Sequence, residues 1–412
     1  MSARTSAFAA FRVRSFRFQW PADLATSWAF EMETLILGWY ILVETHSVTL
    51  LTLFASLQYL GTLLAPLFGV AGHRVGEKNL LCAMRVFYGL LATAMTALAF
   101  AGALSPLPVL AMATLSGIVR PSDIAVRFAL IGNTIPADRL MGAMSVARTT
   151  QDSARIIGAL TGAGVLAALG MGPALAAIAL LYATAVLLTL GVSGAQPARA
   201  AVEPASPWRD LRDGFAHVRH TPRLFASMCL AFLFNVTGFS IVAGLLPYVA
   251  KEIYGTDQTG LGYLVASFAF GSVLGTAILL KVGHRVRTGR TMLVCCVLWH
   301  AAVGLFGQMN GLVPGILALI LAGTAQSLCT IPLSVMLLRT TDEQFRGRIM
   351  GIRILAVYGL PLGLLAAGQL VTRIGYATTS ALYAVVGIAC IVLIGLRWRD
   401  ELWRREAAAN RR

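Results

Sequence analysis

The chain has 412 residues, of which 57% are hydrophobic and 12% charged, and its mean hydropathy is +0.75. A soluble domain carries about 25% charged residues, so this composition excludes a protein that faces water on all sides. The net charge of +15 would suit a nucleic-acid partner, but the positions of the basic residues, described below, exclude that class too.

The first twenty residues are rich in Arg and Ser, lack an apolar core and end at Trp20. They do not have the pattern of a cleavable signal peptide, although a mitochondrial presequence has a similar composition. We interpret them as a short amphipathic lead-in to the first apolar stretch.

Twelve apolar stretches follow, each near or above the roughly 20 residues that cross a bilayer as a helix. They predict twelve transmembrane spans. The first six spans are 21–43, 48–71, 79–102, 106–132, 141–168 and 172–192. The second six are 224–250, 259–281, 291–308, 312–338, 349–371 and 377–396.

Lys and Arg residues gather on one predicted side of the membrane. They occur at both termini, in the loops after spans 2, 4, 8 and 10 and in the long loop after span 6, whereas the opposite loops hold only Lys251 and Arg373. Basic residues mark the cytoplasmic side of short loops. The pattern therefore places both termini in the cytoplasm and predicts no nucleic-acid partner.

Residues 193–222 form the only long loop and separate two sets of six spans. Ser206 and Pro207 suit the first turn of a helix, and apolar residues then recur at helical spacing between charged ones, as in a helix on a membrane surface. The sequence predicts an N-terminal half at 1–192, a cytoplasmic linker with an amphipathic helix at 193–222, and a C-terminal half at 223–412.

The two halves share a sequence repeat. The tetrapeptide Gly-His-Arg-Val follows span 2 at 72–75 and follows span 8 at 283–286. The loops at 136–142 and 342–347, after spans 4 and 10, also correspond. Equivalent positions in each half predict two parallel repeats, with a site expected at their interface.

Residues 69–78 read Gly-Val-Ala-Gly-His-Arg-Val-Gly-Glu-Lys. They resemble the signature of the major facilitator superfamily between its second and third helices, a Gly-rich stretch that ends in Asp-Arg-x-Gly-Arg-Lys, except that His73 stands where the family usually has Asp. The resemblance implies an all-α membrane protein with twelve transmembrane helices in two parallel six-helix halves. It assigns this cytoplasmic loop six signature residues: Gly69, Gly72, His73, Arg74, Gly76 and Lys78.

A narrower resemblance is to the enterobactin-exporter and macrolide-efflux branch of that superfamily. It is carried by five stretches: 16–20 (Phe-Arg-Phe-Gln-Trp), 120–122 (Arg-Pro-Ser), 155–158 (Arg-Ile-Ile-Gly), 346–348 (Arg-Gly-Arg) and 359–363 (Gly-Leu-Pro-Leu-Gly). Ala159 replaces the usual Pro of the third stretch. The resemblance implies proton-driven export of small amphipathic molecules.

Span 1 carries two carboxylates, Glu31 and Glu33. A charge inside a membrane needs a specific reason. Residues two positions apart on a helix point in directions about 200° apart, so the side chains of Glu31 and Glu33 cannot share a face. Both are candidates for proton coupling, with Glu31 favoured because it shares a polar stripe with Asp23 and Ser27. A structural ion pair is the alternative for each.

Spans 4 and 5 each carry an alternating Arg–Asp–Arg stripe at helical spacing. We expect the two stripes to face each other or a cavity in the cytoplasmic half. Either a gate or a static network of paired charges explains them. The residues are Arg120, Asp123 and Arg127 in span 4, and Arg148, Asp152 and Arg155 in span 5.

The second half has no carboxylate inside a span, so proton coupling is expected in the first half and substrate contacts in the second. The polar and aromatic candidates for these contacts are Asn235 and Phe239 in span 7 and Gln326 in span 10. The alternative for each is helix packing. The six cysteines lie in apolar runs without a CxxC pair, which predicts buried small side chains rather than a metal or disulfide site.

The preferred hypothesis is a secondary transporter, not an enzyme, that exports a small amphipathic molecule in exchange for protons, with a siderophore favoured over a drug. A proton-coupled importer of a small metabolite and a non-transporting membrane receptor are the alternatives. No nucleotide-binding loop is present to suggest direct ATP drive. The expected partners are the substrate, protons and membrane lipid, without a cofactor or metal, and a monomer in a bacterial inner membrane is expected.

Overall fold

A computed structural model of the chain describes residues 7–64, 68, 75–193, 207–282, 288–341, 349, 352–353 and 355–403. These residues are almost entirely helical, and none of them is in a strand. A short 3-10 helix at Ala7–Arg12 precedes α1, and a second one at Leu60–Leu64 follows α2. The first six helices are α1 (Arg14–Thr45), α2 (Val48–Leu57), α3 (Glu77–Phe100), α4 (Pro106–Thr134), α5 (Ala137–Leu169) and α6 (Met171–Leu190).

The later helices include one that is broken several times. Between Leu233 and Gln258 the chain passes through two π-helical turns, Phe234–Phe239 and Val249–Ile253. These helices are α7 (Pro207–His220), α8 (Pro222–Leu233), α9 (Ser240–Ala243), α10 (Leu246–Tyr248), α11 (Gln258–Val282), α12 (Thr288–Phe306), α13 (Leu312–Thr340), α14 (Gly359–Ile374), α15 (Tyr376–Arg397) and α16 (Arg399–Trp403).

Nine helices of the described residues are long and apolar enough to cross a membrane. Val48–Thr62 and Gly359–Ile374 are shorter apolar helices. The first helix begins at Arg14, earlier than the predicted start at residue 21, because the preceding turn packs against other helices. Phe16 is buried with Ile131 and Ile135 of the α4 end, so the predicted lead-in is partly a continuation of α1.

The described residues divide into two compact units. One comprises Met1–Pro204 with Thr256–Ala266, and the other comprises Ala205–Gly255 with Ser267–Arg412. In the first unit α1 packs against α5, α6 and α4, while α3 packs against α6. In the second unit α12 packs against α13 and α15. The helix that shares the most partners in the first unit is thus α1, the one that also carries its carboxylates.

Small residues allow α11 and α13 to approach closely in the second unit. The Cα of Gly271 faces the backbone of Ile320, and Gly323 faces the backbone of Phe268 in return. The Thr324 hydroxyl also donates to the Gly271 carbonyl oxygen, at 3.1 Å. Backbone contact of this kind is the usual role of small residues between membrane helices.

We expect Gly271→Ala to destabilise the protein, because the added Cβ would collide with the Ile320 carbonyl oxygen. Overpacking of this type costs about 1–3 kcal/mol. The matched control is Gly164→Ala in α5, where a Cβ would meet no atom and the better helix former gains up to about 1 kcal/mol. Thermal unfolding in detergent measures both variants, and equal melting temperatures would refute the close contact.

Candidate functional site

Four charged side chains form a buried group that we call the Asp–Arg cluster: Asp23, Arg85, Asp123 and Arg127. Arg85 pairs with Asp23, and Arg127 pairs with Asp123 one helical turn away. The Arg127 Nε lies 3.7 Å from Asp23 Oδ1 and joins the two pairs. All four residues are buried, and their formal charges sum to zero, which is the condition under which charges are tolerated in a membrane.

Hydrogen bonds fix the Asp–Arg cluster in place. Arg127 donates to the Ser27 hydroxyl at 2.7 Å and to the Asp23 carbonyl oxygen at 3.1 Å. Arg85 donates to the Thr189 hydroxyl of α6. The cluster therefore ties α1 to α3, α4 and α6. A small cavity of about 10 Å³, bordered by Asp23, Ser27, Arg127 and Thr150, adjoins it and has room for roughly one water molecule.

Glu31 leaves α1 toward α5. Its Oε1 lies 3.4 Å from the Nε of Arg155, and the side chains of this pair are 24% and 37% exposed. The helices meet closely here, since Gly158 faces the Glu31 Cβ and the Trp28 carbonyl oxygen. The Trp28 indole donates to the Thr161 hydroxyl at 2.7 Å. This ion pair is more accessible than the pairs of the Asp–Arg cluster.

Glu33 leaves α1 in another direction, as its spacing from Glu31 predicts. It is buried, and its Oε2 accepts a hydrogen bond from the Tyr182 hydroxyl of α6 at 2.9 Å. The Tyr182 ring packs with Phe30 and Tyr88 in an aromatic cluster with centroids 5.0 to 5.8 Å apart, in which Phe30 meets the other two rings edge-on. The carboxylate is thus held among aromatic groups rather than in an ion pair.

Arg120 of α4 is half-buried and binds neutral acceptors. It donates to the Thr34 hydroxyl at 3.0 Å, the Gln58 side-chain oxygen at 2.7 Å and the Phe30 carbonyl oxygen at 3.1 Å. Its guanidinium carbon also lies 4.2 Å from the centre of the Phe30 ring. Its charge interacts with Glu33 through space. The arrangement leaves the positive charge without a carboxylate in hydrogen-bonding contact among the described residues.

The predicted stripes of spans 4 and 5 both reach α1. Asp123 and Arg127 meet α1 through Asp23, and Arg155 meets it through Glu31. Arg148 and Asp152 instead pair within α5 at 3.8 Å, and the Arg148 side chain is 71% exposed. The sequence predicts that the two stripes face each other or a cavity; their ion pairs to other helices are made with α1, and Arg127 borders the small cavity beside the Asp–Arg cluster.

The predicted signature loop falls mostly outside the described residues. Gly69, Gly72, His73 and Arg74 lie there. Gly76 has a φ of +88°, a conformation that favours glycine, and it precedes α3 directly. The Lys78 ammonium donates to the Leu190 carbonyl oxygen at the end of α6, at 2.9 Å.

The three candidate substrate-contact residues of the second half each bond or pack with another residue of the chain. Asn235 donates to the Ala231 carbonyl oxygen at 2.8 Å, one turn earlier in the same helix. Phe239 packs against Phe234, with ring centres 6.1 Å apart. The Gln326 side chain of α13 accepts from the Ser272 hydroxyl of α11 at 2.8 Å.

Reasoning from the sequence missed three buried polar residues as candidates: Asp23, Arg85 and His300. Arg85 is the sole charged residue within span 3, and His300 lies in an otherwise apolar span 9, so each carried a visible signal. No group of three or more His, Cys, Asp or Glu side chains suited to a metal occurs among the described residues.

Comparison with known proteins gives the class of this protein. Residues 228–412 match the family model of the Major Facilitator Superfamily. Over 95% of this chain and 100% of the other, the structure superposes on that of the nucleoside transporter NupG with a TM-score of 0.73 at 14% identity. The human organic anion transporter MFSD10 gives a TM-score of 0.67 at 15% identity, over 92% and 99% of the chains.

Two curated relatives are more similar in sequence. The lysophospholipid transporter LplT of Cronobacter sakazakii is 26% identical over 300 residues, which cover 71% of this chain and 73% of that protein. The enterobactin exporter EntS of Escherichia coli O127:H6 is 29% identical over 146 residues, which cover 35% of this chain and 34% of the exporter.

The chain therefore has the fold of multi-pass membrane transporters, and its second half, residues 228–412, matches the model of the Major Facilitator Superfamily. The predicted all-α fold of twelve membrane helices is confirmed, and so is the prediction that the protein is a transporter rather than an enzyme.

We expect Arg85→Met to destabilise the protein by about 3–5 kcal/mol, because it leaves Asp23 buried with one partner fewer. Adding Asp23→Asn in the same chain removes the unpaired charge and should recover part of that loss. Arg148→Met, at an exposed pair, should cost no more than about 1 kcal/mol. Detergent melting temperatures of the three variants test this order; an equal loss for Arg85 and Arg148 would contradict the buried cluster.

Proposed function

We propose that the protein is a proton-coupled secondary transporter of a bacterial inner membrane, with both termini cytoplasmic, that exports a small amphipathic molecule. A siderophore is the favoured substrate. The observation that carries the coupling is the Glu31–Arg155 ion pair, which joins α1 to α5 at 3.4 Å and is partly accessible, with side chains 24% and 37% exposed.

The chemistry of this pair suits proton exchange. A carboxylate that takes up a proton loses its attraction for the neighbouring guanidinium. Protonation of Glu31 would therefore weaken the contact between α1 and α5, and release of the proton would restore it. The Asp–Arg cluster does not suit this role, because each of its carboxylates is buried against at least one Arg and protonation would leave buried positive charge unbalanced.

Glu33 is the second candidate for the coupling group. It accepts a hydrogen bond from the Tyr182 hydroxyl, and a carboxyl group can accept that bond whether or not its other oxygen is protonated. It also lies within electrostatic reach of Arg120. A proton on Glu33 would thus change the field at Arg120 without moving α6.

Arg120 is the candidate for contact with the substrate. It is a half-buried cation whose hydrogen-bond acceptors, Thr34, Gln58 and the Phe30 carbonyl oxygen, are all neutral. An acidic group on an amphipathic molecule would add the negative charge that these acceptors lack. The enterobactin exporter supports a siderophore as that molecule, while the longer match to LplT makes a lysophospholipid the second candidate.

We expect Glu31→Gln to abolish substrate-dependent collapse of a pH gradient in inside-out membrane vesicles, with enterobactin and then a lysophospholipid as the probes. Glutamine keeps the shape of the side chain but cannot carry the proton. The matched control is Glu44→Gln, an exposed position near the end of the same helix, which should leave the collapse intact. Full activity in Glu31→Gln would refute the coupling role of this residue.

We expect a deletion strain grown with little iron to accumulate a chelating metabolite inside the cell and to release less of it into the medium. Comparative metabolite analysis of mutant and parent, grown iron-poor and iron-rich, measures this difference. Accumulation of lysophospholipid instead would favour the second substrate. A lower internal level of some metabolite would indicate import, and unchanged metabolite pools would argue for a non-transporting receptor.

A further inference from the structure

His300 is a buried histidine of α12 with both ring nitrogens engaged. Its Nδ1 lies 2.8 Å from the Cys296 carbonyl oxygen, one turn earlier in the helix, and its Nε2 lies 2.8 Å from the Thr237 hydroxyl. The Thr237 hydroxyl in turn lies 2.8 Å from the Leu233 carbonyl oxygen. The four groups form a chain of hydrogen bonds from α12 to the broken helix that follows α8.

The two carbonyl oxygens at the ends of this hydrogen-bond chain limit where its hydrogens can lie. A carbonyl oxygen only accepts, so Nδ1 of His300 must carry a hydrogen. The Thr237 hydroxyl has a single hydrogen, which it can give either to His300 Nε2 or to the Leu233 carbonyl oxygen. In the first case the ring is neutral. In the second case Nε2 must donate, and the ring is a doubly protonated imidazolium.

The site therefore satisfies both charge states of the ring with the same heavy-atom positions. Taking up a proton at Nε2 requires only that the Thr237 hydroxyl rotate toward Leu233. A buried polar group that is hydrogen-bonded in one state alone would resist the change, because the other state would leave a donor or acceptor unpaired.

The position of this chain connects it to a part of the helix that can rearrange. Thr237 lies in the π-helical turn Phe234–Phe239, and such turns often mark functional sites in helices. Gly387 of α15 also lies against the ring, where a Cβ would collide with His300 Cδ2 and Nε2. The ring is thus held between the π-helical turn and α15, and its charge acts on both.

The surroundings of the ring contain titratable groups but no close carboxylate among the described residues. The π-helical turn contributes none. Helix α16 contains Arg399, Asp400 and Glu401 and meets α12 near Gly289. Gly289 lies roughly 16 Å along α12 from His300, at 1.5 Å per residue. The remaining titratable groups on the packed helices are Cys295 and Cys296 of α12, Cys329 of α13 and Tyr383 of α15. Cys329 interacts with Cys296 and with the charge of Arg353. The Tyr383 hydroxyl donates to the Gly363 carbonyl oxygen.

We propose that His300 and Thr237 form a proton-binding site in the second unit, in which Nε2 of His300 takes up a proton while the Thr237 hydroxyl turns to the Leu233 carbonyl oxygen. The proposed proton coupling then involves a histidine in addition to a carboxylate of α1. Its meaning for transport rests on the proposed function, but protonation of the ring is a property that can be measured without any substrate.

The test is solid-state NMR of the ¹⁵N-histidine-labelled full chain in phospholipid vesicles. The chain has six histidines, and a variant in which His46, His73, His217, His220 and His284 are glutamine retains His300 as the single signal. Between about pH 8 and pH 5, the range in which histidine changes charge, the Nε2 signal should change from the unprotonated to the protonated form. A signal that stays unprotonated while the protein stays folded would overturn the proposal.

Thr237→Val removes the acceptor of the protonated ring. At a given pH it should lower the ratio of doubly to singly protonated ring by about tenfold, the effect expected for one hydrogen bond to a charged group. Thr276→Val in α11, which removes a hydroxyl that donates only to the Ser272 carbonyl oxygen, should leave the ratio unchanged. An unchanged ratio in Thr237→Val would also overturn the proposal.

These outcomes are separable from those for Glu31. If Glu31→Gln removes the coupling but His300 does not titrate, the proposed function stands and this inference fails. If His300 titrates and neither probe molecule affects a pH gradient, the proton site stands and the proposed substrate fails. His300→Gln, which still accepts from Thr237, then shows by its effect on the pH gradient whether the site takes part in transport.

Discussion

An ionised side chain inside a membrane costs about 3 kcal/mol even by the mildest scale, so every charge of the first unit needs a partner. Helix α1 supplies several of those partners. Its Asp23 neutralises arginines from α3 and α4, and its Glu31 neutralises an arginine from α5. The packing of four helices in this unit thus depends on a few carboxylates of one helix, at positions where hydrophobic contact alone would not fix the register.

These pairs differ in how firmly they are held. The Asp–Arg cluster is buried, balanced in charge and braced by hydroxyl groups, so it suits a permanent joint between helices. The Glu31–Arg155 pair is partly accessible to solvent, so its partners can separate at a lower cost. A transporter needs both kinds of contact, because some helices must keep their neighbours while others exchange them.

The second unit is held by a different set of interactions. Its described helices approach through glycine, as at Gly271 and Gly323, and its described interior carries stacked aromatic rings. Trp299 and His300 occupy adjacent positions in its core, one against Phe234 and the other against Thr237. The hydrogen bonds of His300, an ionisable group of this core, involve a hydroxyl and a backbone carbonyl oxygen.

The sequence by itself determined the membrane class and carried the resemblance to the major facilitator superfamily, because hydrophobic length, loop charge and the residues at 69–78 are local properties of the chain. It also predicted that Glu31 and Glu33 would point in different directions, since helical geometry alone sets that angle. It did not determine which charges meet. Arg85 and Asp23 are far apart in the chain, and only the tertiary structure brings them together as an ion pair between α3 and α1. The tertiary structure also places Arg155 of α5 beside Glu31 of α1 rather than beside α4. Likewise the sequence showed a lone histidine in span 9, but only the tertiary structure placed a hydroxyl beside it.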